Sequence, residues 1–262
     1  MSIWKEALIA AAFLVVYELT ARHGAAVTST ALRHAITQVH LEQQLGLFHE
    51  RTVQRWALPD LGLIEAMNLY YAVMHWVVPL GTLIWLYHRD PRRYLRWRDT
   101  AVWTTAFCIA SSALFPVMPP RMLPARFGFV DTIVRVGGPG GWDSVLEKTA
   151  GNTLAAQPSV HMAWALAVAL ALYPLLRTWW ARVLVLAHPV LTLVVVVATA
   201  NHYFVDLIGG GAALAVGMGL AGVTSRVLNR DVIVRAGGRT VSQPSAAVSA
   251  ATTPEPTAAG PP

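Results

Sequence analysis

Long apolar runs separated by short charged or Pro- and Gly-rich connections dominate the chain. Ile3 to Leu19, Leu61 to Tyr87, Thr100 to Met118, Pro158 to Leu176, Trp179 to Ala200 and His202 to Leu228 each come near or exceed the roughly 20 mostly apolar residues that a helix needs to cross a bilayer core. Only helices or closed barrels satisfy the backbone in lipid, so the pattern predicts an all-α fold, a polytopic membrane helical bundle of about six transmembrane helices. Lys5, Glu6 and Glu18 interrupt the first run, and a signal peptide has a comparable composition. With no small-residue cleavage site ahead of Arg22-His23, it is read as a retained span.

Between the first two runs, Leu32, Ile36, Val39, Leu45 and Phe48 are spaced to give a helix one apolar side, which predicts an interfacial helix. His34, His40, His49, Glu42 and Glu50 repeat no recognised ligand spacing and are expected on its solvated polar face. No metal and no cofactor is assigned. Pro119-Pro120 and Gly137-Gly138-Pro139-Gly140-Gly141 mark the stretch from Pro119 to Gln157 as a long loop, of a length usually either functional or disordered. Residues 229–262, rich in Ala, Ser, Thr, Pro and Gly, cannot bury a core. They are expected as a disordered tail to an integral membrane domain over 1–228. Gly209-Gly210-Gly211 lies inside a span and reads as close helix packing rather than a nucleotide loop.

Composition agrees with a bilayer as the main partner: 55% of residues are hydrophobic and 13% charged, with ten Trp, and the mean hydropathy is +0.48. The net charge of +6 matters through its distribution. Placing the N-terminus inside puts Lys5, then Arg89, Arg92, Arg93, Arg96 and Arg98, then Arg177 and Arg182, then Arg226, Arg230, Arg235 and Arg239 on the cytoplasmic side, as the positive-inside rule requires. These arginines set topology and meet headgroups; nucleic acid is not an expected partner. The single cysteine, Cys108, lies within a predicted span and excludes an intrachain disulfide and a thiolate metal cluster.

In this orientation Met118, Pro158, Ala200 and His202 all lie at the outer face, so two polar segments converge there. His202 and Asp206 are four apart and would share one side of a helix; such a carboxylate can fix the tautomer of a His whose other nitrogen then serves as nucleophile. His161 follows Pro158-Ser159 at a helix start, where free N–H groups and Ser159 can hold an anion, and its natural role is general acid and then base. Arg121, after Pro119-Pro120, would supply a forked donor suited to phosphate, and Asn201 is a further candidate ligand beside His202.

Pro158-Ser159-Val160-His161 followed by His202-Tyr203-Phe204-Val205-Asp206 resembles the type 2 phosphatidic acid phosphatase superfamily. The resemblance implies a six-helix core and phosphate transfer through a phosphohistidine, with His202 as nucleophile, Asp206 as its orienting partner, His161 as leaving-group acid and Ser159 as a phosphate ligand. Val160 stands where the family usually has Gly, Val195-Val196 stand where it has Ser-Arg, and no Lys or Arg lies between Thr100 and Pro120, leaving Arg121, or Arg126 as substitute, for the first motif. In these departures, and in Asn201-His202-Tyr203-Phe204, the chain is similar to the inositol phosphorylceramide synthase branch. The expected activity is that of a phosphatase or phosphotransferase, with a lipid phosphate donor and an alcohol or water acceptor, inositol phosphate transfer being one form. The expected location is the cell membrane, with the site on the non-cytoplasmic face. A different class of function, a transporter or scaffold in which the His and Asp groups form a structural or proton-relay cluster, stays open. No His-Glu-x-x-His or evident nucleophilic serine suggests a protease.

Overall fold

Asp60, Asp90 and Ser159 open three helices by one device, a side-chain oxygen that accepts from the backbone N–H three residues on and so satisfies a donor left free by the first turn. The computed structural model describes residue 4 and residues 28–136 and 156–237. Among them lie α1 (Thr28–Gln44), α2 (Glu50–Ala57), α3 (Leu61–Arg89), α4 (Pro91–Leu114), α5 (Thr132–Val136), α6 (Val160–Leu172), α7 (Trp179–Ala198) and α8 (Phe204–Gly237). The architecture is an all-α bundle, with no strand among the described residues. The chain divides into two units, Met1–Thr224 and Ser225–Pro262. All packing described here belongs to the first; in the second, helical residues continue to Gly237.

Three of the described helices are long and apolar enough to cross a membrane: α3, α7, and α8 over Phe204–Arg226. Their outer faces carry exposed Val77, Leu80 and Ile84, then Val183, Leu184 and Val190, then Ile208 and Val223. Apolar faces of this extent are what lipid covers. The run from Pro158 forms a shorter apolar helix, Val160–Leu175 including a closing 3-10 turn. The run predicted over Thr100–Met118 is corrected: α4 starts at Pro91, which suits a first helical turn, and ends at Leu114 because Phe115 precedes Pro116 and so leaves the α region. Its opening turns are the arginine-rich segment, and α4 is not among the three long apolar helices. The last helix begins two residues after His202 and runs beyond Leu228. The predicted span over residues 3–19, apart from Trp4, and the tail after residue 237 lie outside the described residues.

The expected interfacial helix is two helices, α1 and α2, joined through Gly46 at φ 68°, in the left-handed region that favours glycine. Ala31, Ala35 and Val39 of α1 pack against Val117, Met118, Leu123, Ala156 and Tyr203, which roofs one end of the bundle. Beneath this roof, Ile64, Met67 and Tyr71 of α3 meet Met162, Val195 to Ala198 and Leu207. Leu86, Tyr94, Trp97 and Ala171 form a separate cluster where α3 passes into α4. At Gly217 the backbones of α4 and α8 meet so closely that an added Cβ would lie 2.7 Å from the Thr104 nitrogen.

Candidate active site

The chain leaves α7 in a tight reversal. Ala200 takes φ 55°, and the N–H groups of Ala200, Asn201 and His202 turn back onto the carbonyls of Val197 and Val196. His202 therefore stands just ahead of α8, not on it, which corrects the reading of His202 and Asp206 as one helical face. Asp206 still reaches it from the first turn, with Oδ2 3.4 Å from His202 Nδ1. A shorter contact joins Nδ1 to the Ala156 carbonyl at 2.8 Å. A carbonyl only accepts, so Nδ1 carries the proton and Nε2 presents a lone pair. That lone pair faces His161 Nδ1 at 3.3 Å.

His161 is the second residue of α6, whose first turn is capped by Ser159 Oγ accepting from the Met162 N–H at 3.4 Å. The Ser159 N–H donates to the Asp206 carbonyl at 3.0 Å, which ties the two polar segments together through the backbone. Gly210 permits the approach, since an added Cβ there would collide with the Ser159 carbonyl oxygen and stand 3.2 Å from Met162 Cβ. The expectation of close packing at the glycine run thus acquires a specific role. Tyr71 stacks on the His161 ring at 4.4 Å and 21°, and His75, one turn further along α3, lies 4.5 Å from it. Nε2 of His161 is buried with no hydrogen-bond partner among the described residues.

Of the expected phosphate ligands, Arg121 comes beside the histidines through Asn201. Its backbone N–H donates to the Ala200 carbonyl at 2.8 Å, Nε donates to Asn201 Oδ1 at 3.0 Å, and Nη1 pairs with Asp131 at 2.7 Å. Nη2 has no partner among the described residues, so one edge of the fork is left for an anion. Asn201 donates from its amide nitrogen to Thr199 Oγ1 at 2.8 Å, and Ser159 is fully buried, so both are engaged by the protein itself. Arg126 is exposed and lies over the Phe127 ring at 5.1 Å.

The largest correction concerns the supposed solvated face of α1 and α2. His40 and His49 are exposed, but His34 stacks on Phe115 at 3.8 Å, and Glu42 and Glu50 are completely buried. Glu42 Oε1 accepts from the Val205 N–H at 2.7 Å and Glu50 Oε1 from the Phe204 N–H at 3.0 Å, while Asp206 Oδ2 accepts from the Tyr203 N–H at 2.8 Å. Gln38 Nε2 donates to the other Asp206 oxygen at 2.6 Å. Three consecutive donors at the start of α8 are thus met by three carboxyl groups, where the helix dipole favours negative charge. Burial, and then the neighbouring Glu50 and Asp206 carboxyl groups, push Glu42 up to about 9. The sequence does carry a signal for this, because Ala31, Ala35, Gln38, Val39 and Glu42 follow one helical stripe and all five are buried. Tyr71 and His75 were also missed; they lie in an apolar run with nothing local to single them out.

The sequence model of the PAP2 superfamily matches residues 37–220, well over half of the chain. No curated protein and no solved structure matches it. The matched stretch opens within α1, just before Gln38 and Glu42, and closes in α8, beyond the glycine that lets His161 approach His202. The chain belongs to the PAP2 superfamily.

Proposed function

We propose that the protein transfers phosphate from a lipid-linked donor through a phosphohistidine on His202. The observation that carries this reading is the directed imidazole pair: His202 Nδ1 is held as a donor by the Ala156 carbonyl and Asp206, and Nε2 is aimed at His161. A phosphoryl group entering between the rings would be attacked by Nε2. The nitrogen–phosphorus bond forms as the ester bond breaks, and His161 gives the departing oxygen its proton. His161 then takes a proton from water or an alcohol, whose oxygen attacks phosphorus and returns His202 to its starting state. Arg121, held beside Asn201, would balance the phosphoryl charge.

The acceptor is water or an alcohol, and the likeness of Val160, Val195-Val196 and the stretch without Lys or Arg between Thr100 and Pro120 to the inositol phosphorylceramide synthase branch suggests transfer of inositol phosphate as one form. The test is incubation of the purified protein with lipids labelled at phosphorus, phosphatidate and phosphatidylinositol in parallel, with and without an added alcohol. Acid-labile, base-stable label mapped to His202 is the expected result. Turnover without label on His202 would sink the covalent route, and label with no released product would point instead to a non-enzymatic phosphate carrier.

The proposed location is the cell membrane, with the site facing away from the cytoplasm. A cysteine replacing Gly138 should react with an impermeant maleimide in intact cells, whereas one replacing Arg93 should react only after lysis; Cys108, buried, gives little background. The reverse pattern would put the site on the cytoplasmic side.

A further inference from the structure

We propose that Glu42 and Glu50 are positioning residues for the nucleophile: with Asp206 they clamp three consecutive N–H groups at the start of α8 through one proton shared by the two glutamates, and this clamp sets where His202 stands. The inference rests on the reading of His202 as the attacking group. It begins from an unbalanced hydrogen-bond count. Glu42 Oε1 and Glu50 Oε1 each accept from a backbone N–H, yet Glu42 Oε2 and Glu50 Oε2 are buried with no donor among the described residues. The two carboxyl groups are brought together at one helix terminus, because they accept from the adjacent N–H groups of Val205 and Phe204. Ionised carboxylates only accept, so these oxygens are satisfied together when one glutamate is protonated.

Electrostatics points the same way. The charges acting on Glu42 are Glu50 from α2 and Asp206 from α8, both negative, and Tyr203 lies in the field of all three. Three buried negative charges around one helix terminus exceed what the roughly half-charge of the helix dipole can offset, and one proton removes the excess. The sign of the pH dependence follows. The Glu42 value is raised from 4.5 to about 9, so the folded protein keeps a proton that the unfolded chain has released. The clamp's contribution to stability is complete below 4.5 and declines as pH rises towards 9. Above that, two ionised glutamates repel, the Phe204 and Val205 amides lose their acceptors, and the turn carrying His202 loosens.

Glu42→Gln keeps an oxygen for the Val205 N–H and offers an amide hydrogen to Glu50 without titrating. Its activity at neutral pH should lie within about threefold of the unaltered protein, but it should not share the roughly tenfold fall expected one pH unit above the Glu42 value. Glu50→Gln, a second conservative variant, should behave alike. Glu42→Ala should lower kcat about tenfold or more at every pH. In parallel, amide hydrogen exchange of the peptide covering Tyr203 to Val205, corrected for intrinsic rates, should quicken in Glu42→Ala and in the unaltered protein above pH 9, and stay slow in Glu42→Gln. Unchanged exchange in Glu42→Ala overturns the clamp whatever the activity. A wild-type alkaline fall retained in both Gln variants overturns the shared proton. An unaltered protein that releases no phosphate from any lipid donor, with exchange as expected, removes instead the catalytic reading and with it the claim that the clamp serves a nucleophile.

Discussion

His202→Ala should lose activity by a factor on the order of 10⁴ or more on every substrate, because it removes the atom that bonds to phosphorus. His161→Ala should depend on what leaves. With a lipid alkoxide the loss of the acid costs roughly 10²–10⁴-fold, but an aryl phosphate departs with little protonation, and most of that loss should disappear on it. The separation is testable because the rings are held by different elements: His161 sits in the first turn of a capped α6 beside Tyr71 and His75, and His202 sits in the reversal before α8. Steady-state kinetics on a series of aryl phosphates and one lipid phosphate would show it. Equal rescue of both variants would mean that the nucleophile and acid roles are wrongly divided. If the unaltered protein refuses aryl phosphates, lipid donors with alcohols of graded acidity supply the same series.

Gly210→Ala should be nearly as damaging to catalysis, although it touches no reacting atom. A Cβ there meets the Ser159 carbonyl oxygen, a main-chain atom that cannot swing aside, so the start of α6 must retreat from α8. Overpacking of this kind costs about 1–3 kcal/mol, which the roughly 1 kcal/mol gain in helix propensity of Ala over Gly only partly offsets. The Ser159 N–H to Asp206 carbonyl bond and the His161 to His202 contact both cross this seam. A displacement near 1 Å at reacting groups can cost about 10²-fold in rate. Gly219→Ala is the matched control, since nothing lies within 4 Å of a Cβ at that position. Activity at equal membrane abundance and thermal unfolding in detergent would be compared. A Gly210→Ala protein with full activity would mean that α6 and α8 tolerate separation at the histidines.

What could be read from the sequence is what depends on local pattern. Apolar runs predict the all-α bundle, and the polar residues that interrupt them at Pro158 and Asn201 single out His161, His202 and Asp206. The helix boundaries needed more, because Pro91 and Pro116 act as start and stop signals inside a stretch judged by hydropathy alone. Glu42 and Glu50 were misread because burial is a property of the partner surface. Only when α8 presents its unpaired N–H groups does a glutamate on the inner stripe of α1 become a buried acceptor rather than a solvated charge. Arg121 shows the same limit, since its forked donor is identifiable as a residue type, while its hold on Asp131 and Asn201 depends on contacts distant in sequence.

The acceptor at His202 Nδ1 is a main-chain oxygen, supplied by Ala156, which is 3% exposed. No exchange of side chain at position 156 deletes that atom. The proton arrangement of the central imidazole is therefore insulated from point mutation on this side, in contrast to the Asp206 side, where one substitution removes the carboxylate. Variation at 156 would reach the imidazole only by displacing the backbone, through the volume of the new side chain or the cost of burying its polar atoms.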